Sequence, residues 1–204
     1  MSKINFEEKY TNLLVDYVSS KKITNLANYL YEHVINVQAS KKEIDDELIK
    51  FLFEYVVKAR QISGLKFPDL FGDYMCQMKA NIDTKGLGQF LTPNSVASLL
   101  SKMASGNDFY DPSAGSGRLL LYGIEEYFKQ NNSFPNLVIS QDLDFECFVY
   151  SLMNFWIHQI PNCYSVQANT LTRKHYLSAK TILIDGYIEW QECKDEAMQI
   201  LNLN

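Results

Sequence analysis

The sequence predicts an α/β protein with a helical N-terminal region. Three observations carry that expectation. Short apolar runs alternate with helix-length amphipathic stretches from about residue 109 onward, the pattern of strands joined by crossover helices in a parallel sheet. A tight run of small residues, Pro112 to Gly117, joins the first apolar run to a helix, as a ligand-binding strand–turn–helix unit requires. The first eighty residues carry apolar side chains at helical spacing throughout.

The N-terminal region, 1–80, holds three runs. Phe6, Tyr10, Leu13, Leu14 and Tyr17 form the first stripe, and Leu26, Leu30, Val34 and Val37 the second. Ile44, Leu48, Leu52, Tyr55, Val56 and Ala59 share one face of the third. Gly64 and Pro68 interrupt the pattern. The remainder, 81–204, opens with a polar stretch from Asn81 to Gly88. A helix is then expected with Thr92 as its cap and Pro93 in its first turn, and with Val96, Leu99, Leu100 and Met103 as its apolar face.

The central unit follows. Phe109 to Asp111 predicts a strand and Arg118 to Phe128 a helix. Leu137 to Ser140 predicts a second strand ending at Gln141-Asp142, and a second helix spans about Asp144 to Gln159. Tyr164 to Gln167 and Thr181 to Ile184 supply a third and a fourth strand, and Glu192 to Leu203 reads as a closing helix with Ala197, Ile200 and Leu201 able to pack.

Composition narrows the function. Hydrophobic residues make up 47% and charged residues 21%, an ordinary balance for a globular chain of 204 residues. The net charge of −5 argues against strong autonomous binding to DNA, where phosphate contacts dominate affinity. Cys76, Cys147, Cys163 and Cys193 are scattered, and His33, His158 and His175 make no ligand spacing, so no metal site and no disulfide framework is expected. Nothing reads as a signal peptide or membrane span, and the expected compartment is the cytoplasm.

The run Asp111-Pro112-Ser113-Ala114-Gly115-Ser116-Gly117 lets backbone approach a ligand closely and ends at a helix start with free N–H groups. It lacks both the GxGxxG fingerprint and a Walker lysine. It resembles the cofactor loop of S-adenosylmethionine-dependent adenine-N6 DNA methyltransferases. Gly88-Gln89-Phe90-Leu91-Thr92-Pro93 resembles the GQFFTP element of the methylase subunits of type I restriction systems. Gln141-Asp142-Leu143-Asp144, Met153-Asn154 and Ala168-Asn169-Thr170-Leu171 resemble later elements of that family, in its order and near its spacings.

The resemblance implies a Rossmann-like methyltransferase core that binds S-adenosylmethionine through Phe90, Thr92, Asp111, Ser113, Gly115, Gly117, Asp142 and Asn169. Asp142, at a strand end, would accept from the ribose hydroxyls, or be a solvated carboxylate. Asn169 would accept from the adenine amino group, or form a turn. Phe145 would line the adenine, or belong to the core.

The family's acceptor element, (Asn/Asp)-Pro-Pro-aromatic, has only Asp185-Gly186-Tyr187 as its counterpart. Asp185 and Tyr187 are the candidate catalytic residues, yet both prolines are absent. The run is one residue short, a displacement of about 3 Å along an extended chain. A strand leaving through a glycine turn explains the same residues. The sheet is therefore expected to be incomplete, with Thr181 to Ile184 as an edge that a partner or the tail must cover.

The implied function is an S-adenosylmethionine-binding relative of adenine-N6 DNA methylases that is inactive or incomplete alone. The alternatives are a non-enzymatic module regulating a restriction–modification assembly, or half of a split methylase. DNA through a partner subunit, and a second copy or a methylase-type chain, are the expected partners.

Overall fold

The computed structural model describes residues 6–39, 44–80 and 91–204. Two compact units divide the chain, Met1–Leu91 and Thr92–Asn204.

The first unit is helical. Its elements are α1 (Phe6–Ser20), α2 (Leu26–Leu30), a π-helical turn (Tyr31–Ile35), α3 (Asn36–Ala39), α4 (Asp46–Ser63) and α5 (Gly72–Ala80). Asp45 caps α4 by accepting from the Leu48 N–H at 2.9 Å, and Gly64 ends it in the left-handed region. Tyr10, Leu14, Leu26, Leu30, Val34, Leu48, Leu52, Tyr55, Val56 and Ala59 are buried, as their spacing predicts. Leu13 departs from the expected stripe, being exposed while Thr11 is fully buried.

The second unit runs α6 (Asn94–Met103), β1 (Asp108–Asp111), α7 (Arg118–Asn131), β2 (Leu137–Asp142), α8 (Phe145–Ile157), β3 (Cys163–Ala168), β4 (His175–Ile184), β5 (Tyr187–Glu192) and α9 (Lys194–Leu201). The five strands lie in the order β1-β2-β3-β4-β5. This mixed α/β architecture is the class the sequence predicts. β1, β2 and β3 are parallel, with Tyr110 opposite Ile139 and Ile139 opposite Tyr164. Among the described residues, no helix is long and apolar enough to cross a membrane.

Three local expectations need correction. Thr92 does not cap α6: Pro93 holds the cap position without a side-chain bond, and the Thr92 carbonyl instead accepts from the Arg118 guanidinium at 3.3 Å. The face of α6 is also reversed. Ala97 and Ser101 are buried, whereas Val96, Leu99, Leu100 and Met103 are all exposed. α6 packs on α7, and its small residues allow close approach on the inner side.

The third correction concerns β4, which was expected to be parallel and to lie at an edge. It runs antiparallel to β3, with Tyr164 opposite Lys180, because only residues 169–174 connect the two strands. A parallel return needs a crossover of about a dozen residues or more. β5 then pairs along β4, with Thr181 opposite Trp190 and Ile184 opposite Tyr187. The supposed edge at Thr181 to Ile184 is thus paired within the chain, and the sheet's edge on that side is β5.

Asp185 and Gly186 form the two-residue turn of this hairpin. Their φ values of +49° and +89° are the paired positive angles that match the twist of the flanking strands. A Cβ added to Gly186 would meet nothing within 4 Å, so Gly186→Ala carries backbone strain alone. We expect it to cost about 1–2 kcal/mol, the penalty of the left-handed region for a residue with a Cβ. Urea unfolding followed by the fluorescence of Trp190, on β5, measures it; an unchanged midpoint would show that the turn is not under this constraint.

α9 covers one face of the sheet. Ala197 and Cys193 pack with Ile139, Tyr164, Val166 and Ala168, and Leu201 and Leu203 extend the contact, while Ile200 stays exposed. Glu196 fixes the helix by accepting from the Tyr164 hydroxyl and the Lys180 ammonium, each at 2.5 Å. Those two donors hold its carboxyl below the usual range.

Candidate functional site

β1, β2 and β3 are parallel, so Asp111, Asp142 and the residues after Ala168 share one end of the sheet. The loop 112–117 folds over that end. The Ala114 N–H donates to the Gln141 carbonyl at 3.0 Å, carrying the loop across from β1 to the top of β2.

Asp142 secures it there. One carboxylate oxygen accepts from the Gly115 N–H at 2.9 Å and the other from the Asp144 N–H at 3.0 Å. A carboxylate offers about four acceptor positions, so both oxygens keep capacity for further donors. Asp144 in turn caps α8, accepting from the Glu146 N–H at 2.9 Å.

Asp111 is half-buried and accepts from the Ser113 N–H at 3.0 Å. Burial raises its pKa, the Ser113 N–H opposes that rise, and the charge of Asp142 adds to it. Two carboxyl groups at adjacent strand ends favour a ligand with positive charge or several hydrogen-bond donors.

Beneath the loop lies a buried polar scaffold. Asn154 on α8 is fully buried and donates from Nδ2 to the Ser116 carbonyl at 2.9 Å. Ser151, one turn earlier, shares hydrogen bonds with Ser140 of β2 at 2.7 Å and Ser165 of β3 at 3.1 Å. Gly117 takes φ +86° directly above α8: a Cβ there would stand 3.5 Å from both the Phe155 ring and the Ser151 side chain.

A second brace runs along the outer side. The Thr170 hydroxyl donates to the Pro112 carbonyl at 2.9 Å and accepts from Gln141 Nε2 at 3.1 Å, while Tyr110 donates to Gln141 Oε1 at 2.7 Å.

The structure therefore brings together Asp111, Ser113, Gly115, Gly117, Asp142 and the loop opened by Asn169. Asn169 acts locally: its side-chain oxygen accepts from the Leu171 and Thr172 N–H groups at 3.0 and 2.8 Å. Phe145 is half-buried beside Phe148, their ring centres 6.3 Å apart. Phe90 lies outside the described residues, and Thr92 precedes α6.

Asp185 and Tyr187 are not brought to this end. β4 runs antiparallel to β3, so His175 lies near Ala168, and the hairpin turn stands at the opposite end of the sheet. Leu143, named in the sequence only as part of the Gln141-to-Asp144 element and given no role there, is 54% exposed immediately after Asp142. It stands between the carboxylate that ends β2 and the one that caps α8. Among the described residues, no group of three His, Cys, Asp or Glu side chains could hold a metal ion.

Residues 66–185 match the N-6 DNA methylase family. The methylase subunit of the type I restriction enzyme MpnII of Mycoplasma pneumoniae is 32% identical over 124 residues, covering 54% of this chain and 23% of that subunit. The chain thus spans about a quarter of the length of this relative. No solved structure matches it. The family match takes in more than half of the chain, including the whole of the loop between β1 and α7 with Asp111, Asp142 and Asn154 around it, and the chain belongs to the N-6 DNA methylase family.

Proposed function

We propose that this chain binds S-adenosylmethionine at the carboxyl ends of β1, β2 and β3, using the parallel half of the sheet as a Rossmann-like core. The observation that carries the reading is the bond from Gly115 to Asp142, which joins a small-residue loop to a carboxylate on the neighbouring strand. The donor set suits the cofactor. Its ammonium and sulfonium charges match a site with two carboxyl groups, and the free acceptor capacity of Asp142 suits ribose hydroxyls. The exposed side chain of Leu143 offers an apolar surface for the adenine ring. When bound, the cofactor supplies an activated methyl group.

The chain does not transfer that methyl group to adenine by itself. Asp185 and Tyr187 stand at the far end of the sheet, and their run is a hairpin turn. The groups that hold an acceptor base would come from a partner, consistent with the subunit character of the MpnII relative. The reading is thus a cofactor-binding component of a methylase-type assembly. That separation of Asp185 and Tyr187 from the loop equally favours a module that occupies a methylase position without turnover.

Calorimetric titration with S-adenosylmethionine tests the proposal. Wild type is expected to bind, and Asp142→Ala to lose about 1–3 kcal/mol of affinity, because it removes acceptors for the ligand and frees the loop from β2. Absence of heat at millimolar cofactor sinks the reading. Incorporation of labelled methyl into adenine-rich DNA by the purified chain alone sinks its second half.

A further inference from the structure

Gln141, 1% exposed near the end of β2, holds the 112–117 loop twice. Its main-chain carbonyl accepts from the Ala114 N–H at 3.0 Å. Its carboxamide is the middle of a chain of side-chain bonds. The Tyr110 hydroxyl donates to Oε1 at 2.7 Å, Nε2 donates to the Thr170 hydroxyl oxygen at 3.1 Å, and the Thr170 hydroxyl donates to the Pro112 carbonyl at 2.9 Å. The chain starts on β1, crosses β2, passes through the connection between β3 and β4, and returns to the loop that follows β1.

The far end of this chain fixes its polarity. The Pro112 carbonyl can only accept, so the one hydroxyl hydrogen of Thr170 must point there. The Thr170 oxygen is then the acceptor toward Gln141, which turns Nε2 to Thr170 and leaves Oε1 for Tyr110. Burial, with Asp111 nearby, raises the Tyr110 pKa, so the phenol keeps the hydrogen it donates. No member can reverse without unmaking the bond to Pro112. The backbone around Thr170 is itself held: Asn169 Oδ1 accepts from the Leu171 and Thr172 N–H groups at 3.0 and 2.8 Å, and the Asn169 N–H donates to the Lys174 carbonyl at 2.9 Å.

A buried carboxamide is costly unless its donor and acceptor are both met. Here both are met by groups that lead to the loop. We propose that Gln141 and Thr170 are positioning residues for the 112–117 loop, setting the Pro112 carbonyl and with it the path that carries Ser113 to Asp111 and Gly115 to Asp142. Their effect on a ligand rests on the S-adenosylmethionine reading above. Their effect on the loop does not.

Two measurements on the full chain separate these. Amide hydrogen exchange at Ala114 and Gly115 reads the loop, and calorimetric titration with S-adenosylmethionine reads the site. Thr170→Val keeps the shape and removes the hydrogen. It should speed exchange at both amides, and weaken cofactor binding, by roughly threefold to tenfold. Thr170→Ser should bring both back to within about twofold of wild type. Thr170 is exposed, so neither variant disturbs the core.

Gln141→Glu distinguishes positioning from packing. Near neutral pH its carboxylate only accepts, so the Thr170 hydrogen turns toward it and Pro112 loses its donor. Burial raises the pKa of the new carboxyl above that of an exposed Glu. Once protonated, it accepts from Tyr110 and donates to Thr170, as the carboxamide does. Exchange relative to wild type should therefore be fast near neutrality and return toward wild type as pH falls through that pKa. Asp111, Asp142, Asp144, Glu146 and His175, the other groups at this end of the sheet that titrate in the range, are common to both proteins. Wild-type exchange in Thr170→Val, a Thr170→Ser variant as defective as the valine, or a Gln141→Glu defect independent of pH overturns the proposal. Exchange that responds as expected in a protein giving no cofactor heat supports the positioning roles and removes the cofactor reading.

Discussion

Phe155→Ala is expected to remove about 3–5 kcal/mol from the stability of the unit Thr92–Asn204, the range for truncating a fully buried aromatic side chain. Phe155 has no exposed surface, and its ring lies 3.5 Å from where a Cβ on Gly117 would stand. The cavity would therefore open directly under the start of α7, at the base of the 112–117 loop. Both tryptophans of the chain, Trp156 and Trp190, lie in this unit, so intrinsic fluorescence during urea unfolding reports on it alone. Phe155→Leu should cost markedly less. A loss below about 1 kcal/mol for the alanine variant would mean that α8 and the loop close over the gap, contrary to a rigid support.

Asn154→Asp is expected to be as damaging near neutral pH, by about 3–5 kcal/mol, because it places a carboxylate against the Ser116 carbonyl with no water to share the charge. The sign of its pH dependence follows. Burial and the facing carbonyl oxygen raise the folded-state pKa above the unfolded value, so the folded form binds the proton more tightly. Stability relative to wild type is then best below the unfolded carboxylate pKa, where the protonated oxygen can donate to Ser116. It is lost as pH rises through the folded pKa. Unfolding midpoints of the variant compared with wild type at acidic and neutral pH decide the matter. A difference independent of pH would show that the side chain has turned away from Ser116.

The parallel half of the sheet was legible from the sequence because its signals are local. Phe109 to Asp111, the small-residue loop and the stripe on Arg118 to Phe128 each declare a strand, a turn and a helix within a dozen residues. Asp142 was legible for the same reason, as a carboxylate ending an apolar run. Its bond to Gly115 and that of Asn154 to Ser116 were not, since each joins residues that only the packed sheet brings together.

The glycine turn at Asp185-Gly186 was legible, but the strand that returns from it, Tyr187–Glu192, was not expected. Asp185-Gly186 follows the apolar run Ile182-Leu183-Ile184 and precedes Ile188 and Trp190, which alternate with polar residues, and an Asp-Gly pair between such segments is a two-residue turn signal. The strands expected at Tyr164 to Gln167 and Thr181 to Ile184 left room for a parallel crossover, whereas β4 begins at His175 and leaves only residues 169–174. α6 misled for another reason. Its long apolar side chains follow helical spacing, but Ala97 and Ser101 are the residues it buries, and periodicity does not reveal which stripe is covered.

The pairing pattern of β3 also orders the assembly of the sheet in time. Closing a chain segment costs entropy that grows with its length, and the segments to be closed lengthen steadily away from the hairpin. Ile184 and Tyr187 are almost adjacent in sequence, Tyr164 and Lys180 are further apart, and Ile139 and Tyr164 are further still. A two-residue turn lets β4 and β5 meet within about 1–10 μs, without waiting for any helix. β3 can then be captured on that ready-made edge, whereas its bonds to β2 require α8 to have formed and folded back. The pairing of β1 with β2, which sets Asp111 beside Asp142, spans a stretch of chain similar to that between β2 and β3 and likewise needs its crossover helix in place. On a chain refolding from denaturant, the end of the sheet that holds both carboxyl groups is therefore expected to be completed after the antiparallel half on the other side of β3.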